Sequence, residues 1–187
     1  QIMSKGYDFP NLSFVGVIDA DTGLLGGDMR AIERTYNLLQ QVSGRAGRFS
    51  DKSLIIYQTL TPEDKTLDNI IKNNPEKFLE NELIIRKKNR LPPFYRLIAI
   101  IISSTKKELS YRGAREIKNK LNVLNEIEVM GPVESPILKI KRRFRSRLLI
   151  RFKNSELLQK KIANLLEKLK ISSKIKLTVD VDPVNFT

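Results

Sequence analysis

The chain has 187 residues and is 41% hydrophobic, which is enough for one large domain or two small ones with real cores. It contains no cysteine and no histidine, which excludes disulfides, Cys/His zinc sites, thiol chemistry and a Ser-His triad within this chain. A net charge of +13 indicates a polyanionic partner, and the longest apolar run, 97–104, is far shorter than the ~20 residues of a membrane span.

The charge divides the chain into two halves. Residues 1–83 hold 9 Lys+Arg against 12 Asp+Glu, a net of −3, whereas residues 84–187 hold 25 against 9, a net of +16. Opposite balances predict two modules with different ligands. Proline at 92 and 93 follows a helical pattern and suggests where the modules separate. We therefore expect a first domain over 1–74, a helical linker over 75–93 and a second domain over 94–187.

The first half predicts alternating strands and helices. Residues 14–21 form a short apolar run typical of a buried strand, and a glycine-rich loop follows at 22–28. Residues 29–44 have helical spacing, with Gly44 expected to end the helix. A second strand is predicted over 53–59, a helix over 61–73 with Thr61 as its cap, and another helix over 75–90.

The second half predicts the order βαββαβ, a small α+β sandwich with helices on one face of the sheet. The strands are expected at 96–104, within 129–152 as two segments, and at 174–183. The helices are expected at 106–124 and at 154–172, the second capped by Asn154 or Ser155. A Gly-Pro pair and a basic turn are expected to separate the strands within 129–152.

The segment QVSGRAGR, 41–48, places Arg45 and Arg48 three residues apart beside Gly44 and Gly47. Arginine is always charged, and its planar fork matches phosphate oxygens, while glycine lets a phosphate approach the backbone. This spacing suits stabilisation of a transferring phosphate. Two surface arginines at a helix C-terminus, favourable to the helix dipole, would have the same spacing.

The surrounding residues resemble a known family. Motif VI of superfamily 2 helicases is resembled at Gln41, Gly44, Arg45, Gly47 and Arg48, and QIMSKGYDFP at 1–10 resembles motif V. The run from Asp28 to Arg48 is similar to the PriA, or primosomal protein N′, family of replication-restart helicases, with Met29 in place of a phenylalanine. Four segments resemble the C-terminal domain of that family: LPPF at 91–94, MGPVESPI at 130–137, RSRLLIRF at 145–152 and DVDP at 180–183. This resemblance implies a hairpin turn near Arg142 and Arg143.

The resemblance implies an α/β fold in which part of a RecA-like parallel lobe precedes the α+β domain. It implies a cytoplasmic ATP-dependent 3′→5′ DNA helicase that uses ATP and Mg²⁺ and restarts stalled forks. Arg45 and Arg48 would face the γ-phosphate, and Gln41 would orient the attacking water. Gly6, Asp8, Gly44 and Gly47 would lie near the nucleotide. DNA, single-stranded DNA-binding protein and other primosome proteins are the implied partners.

The chain lacks a phosphate-binding G-x-x-x-x-G-K-[ST] loop and a D-E-x-H box. In the family both precede motif V, as do the zinc-binding cysteines, so the zinc has no ligands here. We therefore expect a piece of a longer protein that neither hydrolyses ATP nor unwinds DNA by itself, and whose apolar faces in 14–21 are incompletely covered. Asp19 and Asp21 more often serve to turn a loop than to bind Mg²⁺, and Arg30 stands where a calcium loop needs a glutamate.

The densest basic segment, 139–151, predicts a nucleic-acid-binding strand. In a strand, Lys139, Lys141, Arg143, Arg145, Arg147 and Arg151 would share one face. Such a face can follow a phosphate backbone, with Phe144 or Tyr95 available for base stacking. A solvated strand face would show the same alternation. An alternative function is that of a non-catalytic, basic nucleic-acid-binding remnant of a split or decayed helicase gene.

Overall fold

The computed structural model describes residues 13–24, 30–46 and 54–183. The chain divides into two compact units, residues 1–83 and 84–187, each of which is described by itself. Within the described ranges, no helix is long and apolar enough to cross a membrane.

The first unit contains a parallel strand pair with helices. Strand β1 (Phe14–Val17) is followed by helix α1 (Ala31–Ala46) and strand β2 (Leu54–Tyr57), which pairs with β1 in parallel. Helix α2 (Lys65–Ile71) comes next, and helix α3 (Pro75–Lys88) begins in this unit and ends in the second. The parallel β–α–β arrangement predicted for this half is therefore confirmed.

The core of the first unit lies between the strand pair and the helices. It consists of buried side chains from the β1 end, α1, α2 and α3: Ala20, Tyr36, Leu39, Leu67, Ile70 and Phe78. The rings of Tyr36 and Phe78 stack with centroids 3.8 Å apart. Apolar side chains on the strands are nevertheless exposed, including Phe14 at 55% and Ile18 at 83%. This agrees with the expectation that the apolar faces here are incompletely covered.

Two helix ends differ from the prediction. Gly44 does not end α1, which continues to Ala46, because one glycine costs a helix only about 1 kcal/mol relative to alanine. Helix α2 is capped by Asp64 rather than Thr61. The Asp64 carboxylate accepts the backbone N–H groups of Thr66 and Leu67, as an N-cap side chain does.

The second unit has the predicted βαββαβ order. It contains strand β3 (Tyr95–Ser104), helix α4 (Lys107–Leu121), strands β4 (Ile127–Ile140) and β5 (Arg143–Lys153), helix α5 (Glu156–Glu167) and strand β6 (Ile175–Val181). The strands form an antiparallel sheet in the order β4-β5-β3-β6. Ser155 caps α5 by accepting the N–H of Leu158, which confirms one of the two predicted caps.

One face of this sheet is covered by α4 and α5, and we call it the helix-covered face. Its core includes Ile100, Leu148 and Ile150 from the strands, Ile117 from α4 and Ile162 from α5. Because side chains alternate along a strand, the odd-numbered residues of β3 and β5 point to the opposite side, which we call the open face. Leu97 and Ala99 on the open face are buried at the end away from the β4–β5 hairpin.

The β4–β5 hairpin turns at Lys141 and Arg142, one residue earlier than expected. Both residues have positive φ, 47° and 62°, as the two central residues of a type I′ turn require. Ile140 therefore pairs with Arg143 and Lys139 with Phe144. This register decides which basic side chains share a face.

Candidate nucleic-acid interface

Three arginines share the open face of β5 near the hairpin. Arg143, Arg145 and Arg147 are each half-buried, and they alternate with Phe144, Ser146 and Leu148 on the helix-covered side. The alternation follows from the period-2 pleat of a strand. The structure thus brings together three of the six predicted nucleic-acid-binding residues.

Arg143 is fixed to the end of the sheet. Its Nη2 donates to the Ser103 carbonyl at 2.8 Å and to the Lys174 carbonyl at 3.3 Å, and its Nε lies 3.4 Å from the Ser103 hydroxyl. These contacts involve neutral groups only, so the positive charge is oriented but not neutralised.

Arg145 and Arg147 lie close enough for their charges to interact. Burial lowers the pKa of the Arg147 guanidinium, and the charge of Arg145 lowers that pKa further. Arg145 has no hydrogen-bond or ion-pair partner among the described residues. Two like charges are therefore held near each other on a partly desolvated surface, an arrangement that an anion would stabilise.

Arg151 also lies on the open face, but it is already paired. It forms an ion pair with Glu128 on β4, with Nη2 and Nε 2.7 and 3.1 Å from the carboxylate, and its Nη1 donates to the Asn89 carbonyl at 3.1 Å. Its charge is thus largely compensated within the second unit. Arg151 is the weakest candidate of the four arginines for contact with an anion.

The prediction of a single basic face is wrong for Lys139 and Lys141. Lys139 pairs with Phe144 and lies on the helix-covered side, where its Nζ is 4.8 Å from the Phe144 ring centroid. Lys141 lies in the turn itself. A residue on β4 faces the same side of the sheet as its partner on β5. Because the turn has two residues, odd-numbered residues at the end of β4 pair with even-numbered residues of β5, as Lys139 does with Phe144. Odd-numbered residues therefore do not share one face across the hairpin.

The two aromatic residues expected to stack bases do not accompany the arginines. Phe144 lies on the helix-covered side, beneath Lys139. Tyr95 points to the open face but lies at the other end of the sheet, opposite Lys153. Lys176, which was not among the predicted residues, pairs with Ser103 and shares the open face near Arg143. The alternation of Lys176, Thr178 and Asp180 with apolar neighbours in β6 could have indicated it.

Only part of the predicted nucleotide site falls on described residues. Gln41 and Gly44 lie in the last turns of α1, both exposed, and the backbone of Arg45 belongs to the same helix. A Cβ built on Gly44 would have no described atom within 4 Å. Gly6, Asp8, Gly47 and Arg48 lie outside the described residues.

Asp19 and Asp21 each hold the loop after β1. Asp19 accepts the N–H and the hydroxyl of Thr22. Asp21 accepts the Leu60 N–H at 2.7 Å and the Thr59 and Thr61 hydroxyls at 2.6 and 2.9 Å. These bonds, that to Thr59 first, lower the pKa of the Asp21 carboxyl. The two carboxylates thus act on the loop, and no cluster of three potential metal ligands occurs among the described residues.

The chain has many relatives among curated proteins. A Replication restart protein PriA from Rickettsia conorii is 38% identical over 186 residues, which cover 100% of this chain and 28% of that protein. The corresponding protein of Borreliella burgdorferi is 37% identical over 187 residues, covering 99% of this chain and 28% of that protein. That of Bacillus subtilis is 35% identical over 188 residues, covering 98% and 23%.

The chain spans about a quarter of the length of these relatives. The family model described as the Primosomal protein N C-terminal domain matches residues 87–184, more than half of the chain. This match contains the whole βαββαβ domain and therefore the open face. The chain belongs to the PriA, or primosomal protein N, family and corresponds to the C-terminal region of a replication restart protein.

Proposed function

We propose that this chain is the C-terminal part of an ATP-dependent 3′→5′ DNA helicase that restarts stalled forks and begins primosome assembly. Its own contribution is DNA binding through the open face of the second unit. The observation that carries this proposal is the group formed by Arg143, Arg145 and Arg147, which share one face of β5 near the hairpin. Family membership supports DNA as the polyanion.

The open face suits a phosphate backbone more than an individual base. Its cations alternate along one strand, about 6.6 to 6.8 Å apart for every second residue, a distance close to that between neighbouring phosphates. Phe144, the aromatic residue of this strand segment, points to the opposite side of the sheet from the three arginines. We therefore expect binding that depends strongly on salt and weakly on sequence.

The first unit would supply the arginine half of an ATP site. In this proposal Arg45 and Arg48 stabilise the γ-phosphate, Gln41 orients water, and Gly6, Asp8, Gly44 and Gly47 line the site. The exposed positions of Gln41 and Gly44 at the end of α1 support it. ATP and Mg²⁺ would supply the phosphoryl-transfer chemistry, with the remaining residues outside this chain. Single-stranded DNA-binding protein and other primosome proteins are proposed as partners through the same family membership.

The DNA-binding proposal is tested with the double variant Arg145→Gln/Arg147→Gln. Binding of a fluorescein-labelled single-stranded oligonucleotide is followed by anisotropy at several KCl concentrations. Each lost phosphate contact should reduce the slope of log K against log salt by about 0.7 for a single strand, so the double variant should lower it by roughly 1.4.

The matched control is Lys160→Gln/Lys168→Gln, which removes the same charge from exposed positions on and after α5. The control should leave the slope nearly unchanged. A double arginine variant that is folded by circular dichroism and keeps the wild-type slope would contradict the proposal for the open face.

For the nucleotide site, the purified chain should show no DNA-stimulated ATP hydrolysis, and measurable turnover would contradict the proposal that this chain holds only half of the site.

A further inference from the structure

A second candidate site lies on the other side of the sheet, in a cleft between α4 and the β4–β5 hairpin. The cleft has a volume of about 370 Å³, within the range of small-ligand sites. Its lining comes from one side of α4 and from both hairpin strands, and includes Tyr111, Arg112, Arg115, Glu134, Leu138 and Phe144. Phe144 points to the helix-covered side, and Arg145 of the open face also lines the cleft, so the two sites share one residue.

The irregular course of β4 opens this cleft. Glu134 lies opposite Ser146 and Lys139 lies opposite Phe144, so β4 takes five residue steps where β5 takes two. The additional residues cannot stay in the ladder, and β4 bulges away from β5 at this point. Ser135, in the bulge, is 4% exposed, and its hydroxyl has no hydrogen-bond partner among the described residues. A bulge maintained with an unsatisfied buried hydroxyl is costly, which favours a role for the space that it creates.

The α4 wall carries unpaired positive charge. Lys107 forms an ion pair with Glu134, and that carboxylate raises the pKa of the Lys107 ammonium. Arg112 and Arg115 are exposed and have no hydrogen-bond or ion-pair partner in the described part of the chain. Glu108 is the remaining acidic residue of the lining, so the cleft retains a net positive charge and suits an anionic ligand.

Two aromatic rings on different walls add a flat apolar surface. Tyr111 on α4 is 44% exposed, and Phe144 on β5 lines the same space. Nucleobases stack on such rings, while phosphates bind guanidinium groups at the edge. An acidic peptide would use Arg112 and Arg115 but would leave the rings without a planar partner. The combination therefore favours a nucleotide.

We propose that this cleft receives one unpaired nucleotide of a DNA single strand, with its base against Tyr111 and Phe144 and its phosphate on Arg112 or Arg115. The inference rests on the DNA-binding function proposed above and adds to it a base-contacting site that the open face lacks. It implies that the second unit distinguishes a strand with bases from a bare sugar-phosphate chain.

The test uses the 187-residue chain and two labelled probes, an oligodeoxythymidylate of about ten nucleotides and an abasic strand of equal length. The wild-type chain should bind the thymidylate at least about fivefold more tightly, since stacking of one base contributes that much or more. The variant Tyr111→Leu/Phe144→Leu, which keeps apolar bulk, should abolish this difference. Arg112→Gln/Arg115→Gln should weaken binding of both probes by roughly tenfold.

Lys120→Gln/Lys168→Gln serves as the matched control for charge, because both lysines are exposed and do not line the cleft. Equal affinity of the wild-type chain for both probes, or an unchanged preference in the ring variant, would overturn the inference while leaving open-face binding intact. An acidic peptide that requires Arg112, Arg115 and the rings, when the thymidylate does not, would assign the cleft to a peptide and also overturn it. A wild-type chain that binds neither probe would contradict the proposed function as well.

Discussion

The hydroxyl of Ser110 on α4 lies 2.8 Å from the Ser146 hydroxyl on β5 and 2.8 Å from the Ile102 carbonyl on β3. Both serines are buried, at 0% and 4% exposure. Because a carbonyl oxygen only accepts, Ser110 gives its proton to Ile102, and the proton of Ser146 completes the contact between the hydroxyls. One small polar group thus fixes α4 over the strand that carries the arginines.

Removing the Ser110 and Ser146 hydroxyls should have non-additive effects on the free energy of unfolding. Ser110→Ala leaves the Ser146 hydroxyl buried without its partner, and we expect the free energy of unfolding to fall by about 1–3 kcal/mol. The double variant Ser110→Ala/Ser146→Ala should cost less than the sum of the single variants, since no orphaned hydroxyl remains. Urea unfolding of the four proteins measures this, and strict additivity would contradict the shared bond.

Two glycines should respond in opposite directions to alanine. Gly131 has φ of +95°, and a Cβ there would lie 2.7 Å from the Arg147 carbonyl, so Gly131→Ala should lower the free energy of unfolding by at least about 2 kcal/mol. Gly44 lies in a helix, and a Cβ there would have no described atom within 4 Å, so Gly44→Ala should raise α1 stability by up to about 1 kcal/mol. Thermal unfolding followed by circular dichroism compares them; a Gly131→Ala variant as stable as wild type would contradict the described backbone.

The geometry of these sites shows how far the sequence can be interpreted. Alternation within β5 correctly grouped Arg143, Arg145 and Arg147, because the pleat imposes a period of two wherever a strand is regular. The same alternation assigned Lys139 to the wrong face of the sheet, because the face of a side chain on the other strand of a hairpin depends on the number of residues in the turn. It also gave no sign of the cleft beside Phe144, because the bulge in β4 depends on the register between two strands and not on the pattern within one.

Capping shows the same limit on a smaller scale. The sequence offered Asn154 or Ser155 as the cap of α5, and the structure selects Ser155. Both Thr61 and Asp64 can accept an N–H near the start of α2, and Asp64 caps because its carboxylate reaches two N–H groups at once. The order βαββαβ was predictable from hydrophobic period and turn residues, whereas the helix start was decided by local geometry.

Acid should loosen the first unit through Asp21. Its hydrogen bonds to Thr59, Leu60 and Thr61 lower the pKa of the folded carboxyl, so the stabilisation is present above the unfolded pKa of about 3.9 and is lost as pH falls through the lower folded value. The protection factor of the Leu60 amide against hydrogen exchange should therefore fall below about pH 4, relative to amides of the second unit. In Asp21→Asn this protection factor should be low and should depend little on pH over the same range.

The control for this acid effect is Asp19→Asn on the same loop, where the carboxylate bonds to Thr22 and to no other described residue. That variant should keep the wild-type acid response at Leu60. If it instead matches Asp21→Asn, the acid sensitivity belongs to the loop as a whole and not to the bonds of Asp21.

The arginines of β5 should differ in their contribution to DNA binding according to whether their charge is already compensated. Arg151 is paired with Glu128 and bonded to Asn89, so a phosphate would have to compete with a carboxylate 2.7 Å away. Arg145 has no such competitor among the described residues. Arg151→Gln should therefore change the salt slope of single-strand binding by less than half the change caused by Arg145→Gln, as measured by anisotropy titration.

Glu128→Gln supplies the complementary variant: releasing Arg151 from its partner should strengthen DNA binding and make the slope steeper by up to about 0.7. Equal effects of Arg151→Gln and Arg145→Gln would show that the Glu128 pair opens when DNA binds, and that all four arginines of the open face contact the strand.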